Sequence, residues 1–248
     1  MTKSTRQSEA VHADRLVRNF GRLRVLRGLD LRVPEATTVV LFGANGSGKT
    51  TLLKVLAGLL RADSGELRVL GQSYPTHAEF RNRVAMLAHE SMLYADLTAR
   101  ENLDYYARLY RVRNRARVQE VLERTRLDEA AERPVRGFSR GMLQRLSLAR
   151  SVLHDPELLL LDEPFSGLDP GGCDLLGGLI EEQKRRGRTV ILTTHDFERG
   201  LSVADRAVLI HRGRAAWQSN RRLPCATDMS EIYRHTLASD SSSLSETN

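Results

Sequence analysis

The sequence predicts an α/β fold: a core of buried strands, a small antiparallel subdomain before it, and a helical insertion in its middle. Three observations lead there. TVVLFG at 38–43 is a continuous apolar run that ends in glycine and is followed by TLLKVLAGLL, apolar along one helical face. LLLLDEP at 158–164 and TVILTTH at 189–195 repeat the continuous apolar pattern, the kind found in strands covered on both faces of a parallel sheet. Residues of about 97–153, in contrast, are Arg-rich and spaced as helices.

From Val11 to Val33 the apolar positions Leu16, Val17, Val25, Leu26, Leu29, Leu31 and Val33 alternate loosely, which predicts short antiparallel strands. ELRVLG at 66–71 returns as a strand. Thr98 to Glu101 reads as a capping box opening a helix through Leu103, Tyr106, Ala107 and Tyr110. Val118, Val121 and Leu122 mark a second helix, and a third runs from about Gly141 to Leu153. After Arg214 the periodicity fades, MSEIYRHTL suggests one more helix, and SDSSSLSETN is low-complexity. The expected organisation is a flexible 1–10, a domain over 11–220 with its helical insertion at about 90–155, a C-terminal segment 221–238, and a disordered 239–248.

At 248 residues, 41% hydrophobic and 28% charged, the chain has the balance of a globular domain with a proper core. The net charge of +7 comes from dispersed Arg, read as a solvated surface rather than a nucleic-acid site. Cys173 and Cys225 are too few and too far apart for a disulfide framework or a metal site. No segment approaches the eighteen or so uninterrupted apolar residues of a membrane span, and MTKSTRQSEA lacks the apolar centre of a signal peptide.

FGANGSGKTT at 42–51 carries the first chemistry. Gly43, Gly48, Lys49 and Thr50 fit G-x-x-x-x-G-K-[ST], in the strand–loop–helix context that a phosphate loop requires. The glycines let backbone N–H groups curl around phosphate oxygens, and the helix start adds its positive dipole end. Lys49 would reach the outer phosphates, and Thr50 would hold Mg²⁺. Asn45, Gly46, Ser47 and Thr51 belong to the same nucleotide-binding stretch. Asp162 and Glu163 fall at the carboxyl end of a buried strand, where ligands of open α/β sheets bind. Asp162 suits Mg²⁺ and Glu163 the proton of an attacking water; capping the next helix is the alternative, and a phosphate loop in the same chain weakens it. FSRGMLQR places Ser139 and Gly141 at a helix start, a second anion site only 23 residues before Asp162. One chain has no use for two phosphate cradles, so the second makes sense facing ATP held by another subunit.

With GANGSGKTT, FSRGMLQR, LLLLDEP, SGLD and TTHD in this order, residues 11–215 resemble the ATP-binding subunits of ABC transporters. The resemblance implies a P-loop NTPase core with an antiparallel β subdomain and an inserted helical subdomain. It implies ATP and Mg²⁺ as cofactors and hydrolysis to ADP and phosphate. It also implies head-to-tail pairing with a second ATP-binding subunit (a homodimer) and work with integral membrane permease subunits at the inner face of the cell membrane. On this resemblance Ser139 and Gly141 contact the partner's γ-phosphate, and Ser166 to Asp169 communicate between sites. His195 contacts the γ-phosphate and orients water; taken without the resemblance it ends a buried strand, with an ordinary hydrogen-bonded core histidine as the alternative. Phe20 stands where an aromatic stacks on adenine, with a core or turn phenylalanine as the alternative.

Two departures from the family pattern stand out. Arg140 occupies the place of the first signature glycine, so its long side chain either turns away from the phosphates or contacts them directly. His89 stands where most members have a glutamine that senses Mg²⁺ and water; imidazole is a poor ligand for an ion that prefers oxygen. Histidine there, followed by LYADLTARENLDYYARLY, resembles the ATP-binding subunits of haem exporters in cytochrome c maturation. Haem is therefore the expected cargo, with a multidrug or lipid exporter as the alternative and a soluble non-transport ABC protein behind it.

Overall fold

A computed structural model describes residues 8–73, 78–88, 91–219 and 222–243. Strands β1 (Glu9–Phe20) and β2 (Leu23–Pro34) form a hairpin across Gly21, whose φ of +57° suits the two-residue loop. β3 (Thr38–Phe42) leads into α1 (Lys49–Leu56). Next come β4 (Ser64–Val69), β5 (Gln72–Ser73), the single-turn α2 (Ala78–Arg81) and β6 (Val84–Leu87). The helical stretch holds α3 (Ala99–Leu109), α4 (Arg117–Arg124) and α5 (Arg140–Val152). β7 (Leu158–Asp162), α6 (Pro170–Arg185), β8 (Thr189–Thr193) and α7 (Phe197–Val203) follow, and β9 (Arg206–His211), β10 (Arg214–Gln218) and α8 (Ala226–Ser243) complete the described chain.

Two sheets form, an antiparallel one ordered β2-β1-β4-β5 and a larger one ordered β10-β9-β3-β8-β7-β6. The second is parallel except for β10 on β9. The antiparallel subdomain is as expected, but β1 and β2 are long strands of 12 residues each. β1 accommodates its length through a register shift between Ala13 and Leu16, with Arg15 left-handed at φ +48°.

The continuous apolar runs have a simple cause. Val40, Phe42, Leu159, Leu161, Val190 and Leu192 pack into a core with the helical region. Val39, Leu41, Leu158, Leu160 and Ile191 pack on the opposite face with α1 and the antiparallel sheet. Successive residues point to opposite faces of a strand, so a sheet covered on both sides must be apolar at every position.

Thr98 caps α3 as expected, its hydroxyl accepting from Glu101 N at 3.1 Å while the Glu101 carboxylate accepts from Thr98 N at 2.8 Å. Leu103, Val121 and Leu122 are fully buried in the helical core.

Three boundaries differ from the sequence reading. β1 begins at Glu9 rather than after residue 10, because Ala10 is buried and its carbonyl accepts from Leu70 N at 2.8 Å. VAML at 84–87, too short to stand out in the sequence, becomes an edge strand paired along β7. α8 carries on to Ser243, into the stretch expected to be disordered from 239: a helix already anchored by buried Met229 adds each further residue without a new nucleus.

Candidate nucleotide site

The loop after β3 has room only for the residues it carries. A β-carbon on Gly43, at φ +151°, would lie 2.3 Å from Ile210 O and 2.7 Å from Ser47 Oγ. Gly48 opens α1 in the left-handed region at φ +108°, with no side chain capping the helix. The first N–H groups of α1 therefore carry no side-chain partner at the end where the helix dipole is positive. Lys49 is only 7% exposed, and its Nζ donates to Gly43 O at 2.7 Å and Ala44 O at 3.0 Å. Burial holds this lysine below its usual range, and the negative charges of Glu163 and Asp162 work against that shift. Ser47 Oγ is buried without a hydrogen-bond partner, a donor waiting for an acceptor.

The carboxylates reach the same cleft from two neighbouring strand ends. Asp162 closes β7 in register with Thr193 at the end of β8. Its Oδ2 accepts from Thr50 Oγ1 at 2.8 Å and its Oδ1 from Thr193 Oγ1 at 2.7 Å. The Thr193 hydroxyl in turn accepts from Glu163 N at 3.0 Å. Glu163 sits in the left-handed region at φ +49°, a conformation costing a non-glycine residue roughly 1–2 kcal/mol. That turn sends its carboxylate away from Asp162 toward His195, whose Nδ1 lies 3.1 Å from Glu163 Oε2. The His195 side chain is 78% exposed. It is no core histidine; it stands at the mouth of the cleft.

The oxygens of Thr50 and Asp162 make a hard donor pair suited to a small cation such as Mg²⁺, which takes few protein ligands and keeps water and phosphate for the rest. Phe20 is 45% exposed at the end of β1 and lines the cleft with Asn45, Gly46, Lys49 and Thr51. The Arg18 guanidinium lies over its ring, 4.8 Å from the centroid. The structure thus sets aside the core reading of Phe20.

Ser139 and Gly141 lie elsewhere. Ser139 caps α5, accepting from Met142 N at 3.3 Å, and neither residue lines the cleft beside the phosphate loop. Asp169 caps α6, accepting from Gly172 N at 2.8 Å, with Pro170 in the first turn. His89 falls outside the described residues.

Sequence reasoning missed two contributors. Thr193 fixes both acidic residues, and its signal was a hydroxyl at the end of a buried strand beside the one carrying them. Tyr233 of α8 lines the cleft with Asn45, Glu163, Ser166 and His195. Its ring meets Phe197 at 5.8 Å, and Phe197 meets Phe42 at 5.0 Å. No local pattern announces such a contact.

Comparison with known proteins identifies the family. Residues 26–166 match the family model described as ABC transporter. The daunorubicin resistance ATP-binding protein DrrA3 of Streptomyces coeruleorubidus is 39% identical over 83% of this chain, which spans 66% of that relative. The Nod factor export ATP-binding protein I of Paraburkholderia xenovorans is 36% identical over 83% of the chain and 69% of its own length. A solved structure of the ATP-binding subunit of an ABC transporter superposes with a TM-score of 0.82 at 26% identity, covering 92% of this chain and 99% of that one. The chain therefore belongs to the ABC transporter family as an ATP-binding domain.

Proposed function

We propose that this chain hydrolyses ATP as one of two paired subunits and thereby drives a separate membrane permease that exports a drug-like or lipid-like compound. The observation that carries the hydrolytic part is the division of labour between neighbouring carboxylates. Asp162 is turned to Thr50, while Glu163 is turned to His195. One is placed to hold a cation and the other to take a proton.

In this reading Gly43, Asn45, Gly46, Ser47, Gly48, Lys49 and Thr51 hold the phosphates. The buried, unpartnered Ser47 hydroxyl and the cradle that a β-carbon at Gly43 would fill both support that assignment. Thr50 and Asp162 would hold Mg²⁺, which supplies charge neutralisation on the phosphates when bound. Glu163 orients and deprotonates water, His195 steadies the Glu163 carboxylate and reaches toward the γ-phosphate, and Phe20 offers a face to the adenine. The exposed, separately capped start of α5 supports a contribution by Ser139 and Gly141 to a second copy's ATP.

Among the described residues no helix is long and apolar enough to cross a membrane, and a permease partner is supported by the drug-resistance and export names of the relatives. It is also supported by an exposed apolar surface: Met92, Tyr94, Tyr105 and Leu109 stand 52%, 47%, 44% and 61% exposed. Leu93 between them packs on the core, and buried Asn102 pins the segment through Tyr94 N and Tyr94 O at 2.8 and 3.0 Å. The surface is therefore held in shape while its side chains face outward, as docking of a permease helix requires. The names of the drug-resistance and Nod factor export relatives favour an exporter of that general kind over haem, since neither carries a haem-export name.

Purification from membranes tests the reading. The chain should bring down a polytopic protein, and charged substitutions at Met92 or Tyr94 should release it while basal ATPase activity persists. Equal loss of folding and activity would return those residues to a core role. Deleting the gene should leave haem-stained c-type cytochrome bands at normal intensity; their disappearance would reinstate haem export.

A further inference from the structure

The start of α5 carries an arginine where a glycine was expected, and its side chain has a definite destination. Arg140 Nη2 donates to Ser166 Oγ at 3.1 Å. Its stem lies over Gly167, where an added β-carbon would come within 2.8 Å of Arg140 Nε and 3.0 Å of its Cγ and Cδ. Gly167 is also left-handed at φ +77°, so its backbone favours glycine, and a β-carbon there would push the Arg140 side chain aside. One turn along the same helix, Gln144 Nε2 donates to Pro164 O at 3.0 Å. Residues four apart share one helix face, so the two side chains clasp the loop 164–167 together. That loop begins at Glu163, and Ser166 N donates back to Glu163 O at 3.1 Å.

We propose that Arg140 is a positioning residue that couples the anion-facing start of α5 to the loop carrying Glu163. The inference rests on the paired-site reading, in which α5 faces the partner's ATP while Glu163 serves the chain's own. A displacement of α5 on meeting phosphate is passed through the Arg140–Ser166 and Gln144–Pro164 contacts to the segment that sets the Glu163 carboxylate. Each site then reports its occupancy to the other through a side chain, a coupling between two distinct sites. An arginine serving as a direct phosphate ligand would have its guanidinium free of such a commitment.

The test is ATPase rate against ATP concentration for the purified chain and for Arg140→Ala, Ser166→Ala and the double variant, with ATP binding measured alongside. Arg140→Ala is expected to lower kcat three- to tenfold and bring the Hill coefficient toward one, leaving single-site ATP affinity unchanged. Ser166→Ala should reproduce that phenotype, and adding Arg140→Ala to it should change kcat less than twofold further. A double-variant cycle of this kind isolates the pairwise contact. Effects that multiply would overturn the proposal, since the arginine would then act apart from Ser166, as a phosphate ligand does. Cooperativity retained in Arg140→Ala would overturn it too, while leaving the paired sites standing. If the unaltered chain itself shows a Hill coefficient of one and Glu163→Gln forms no ATP-dependent dimer, the paired-site reading fails and the proposal with it.

Discussion

α1 and α5 both begin where the sequence expects a phosphate, yet they are finished differently. α1 opens on Gly48 with no side-chain cap, and Lys49, Thr50, Asp162 and Glu163 gather around that opening. α5 opens on Ser139, whose hydroxyl already accepts from Met142 N, and its next side chain is committed to Ser166. The first start keeps its amides free of side-chain caps and brings the Lys49 ammonium, the Thr50 and Asp162 oxygens and the Glu163 carboxylate with it. The second brings only backbone and a hydroxyl. On the proposed reading, a helix start that offers an anion backbone and a hydroxyl alone needs the chemistry of another site to act on anything.

Glu163→Gln should break the contrast most severely, lowering turnover roughly 10²- to 10⁴-fold, the contribution of a positioned general base. ATP binding should survive, and size-exclusion chromatography with ATP should show a dimer; a monomer under every condition would count against pairing. Lys49→Ala comes next, costing on the order of 1.5–3 kcal/mol of charge-assisted contact, about ten- to hundredfold in ATP affinity. Isothermal titration reads it, and unchanged affinity would place Lys49 outside the cradle. Ser139→Ala removes a helix cap worth about 1 kcal/mol. It should depress kcat several-fold with ATP affinity intact, sharpening the claim that α5 serves a second copy. The smallest effect is on pH. A cation held below its usual range loses its proton as pH rises through that lowered value. ATP affinity should therefore begin to fall at a pH below lysine's ordinary 10.5, and Lys49→Ala should flatten that part of the profile.

What could be read in the sequence follows from how local each requirement is. The loop from Gly43 to Thr50 was legible because its glycines answer to steric contacts within the motif and its neighbours. Continuous apolar runs revealed β3, β7 and β8, since burial on both faces leaves no position free for a polar residue. The Thr98 capping box was legible for the same reason: both hydrogen bonds close within four residues. β6 was not, because four apolar residues carry no period. Arg140 gave two destinations in the sequence, and its contacts with Gly167 and Ser166 favour the one turned from phosphate. Asp169 was assigned through the resemblance to traffic between sites, whereas its visible work is capping α6. Thr193 and Tyr233 enter the cleft from other elements, by contacts that no local pattern encodes.

The placement of α8 has a practical side for anyone trimming the protein. A fragment ending at residue 220 would keep each of the sequence motifs and look complete on paper. It would nonetheless lack Met229, fully buried in the core shared with the helical region, whose loss is of the kind costing about 2–5 kcal/mol. It would also bare one side of Phe197, which rests on Phe42 at the root of the phosphate loop. Such a fragment should melt earlier than the full chain and turn over ATP poorly despite an intact set of motifs. A weak ATPase recovered from it would report a missing buttress, and would be mistaken for a defective enzyme.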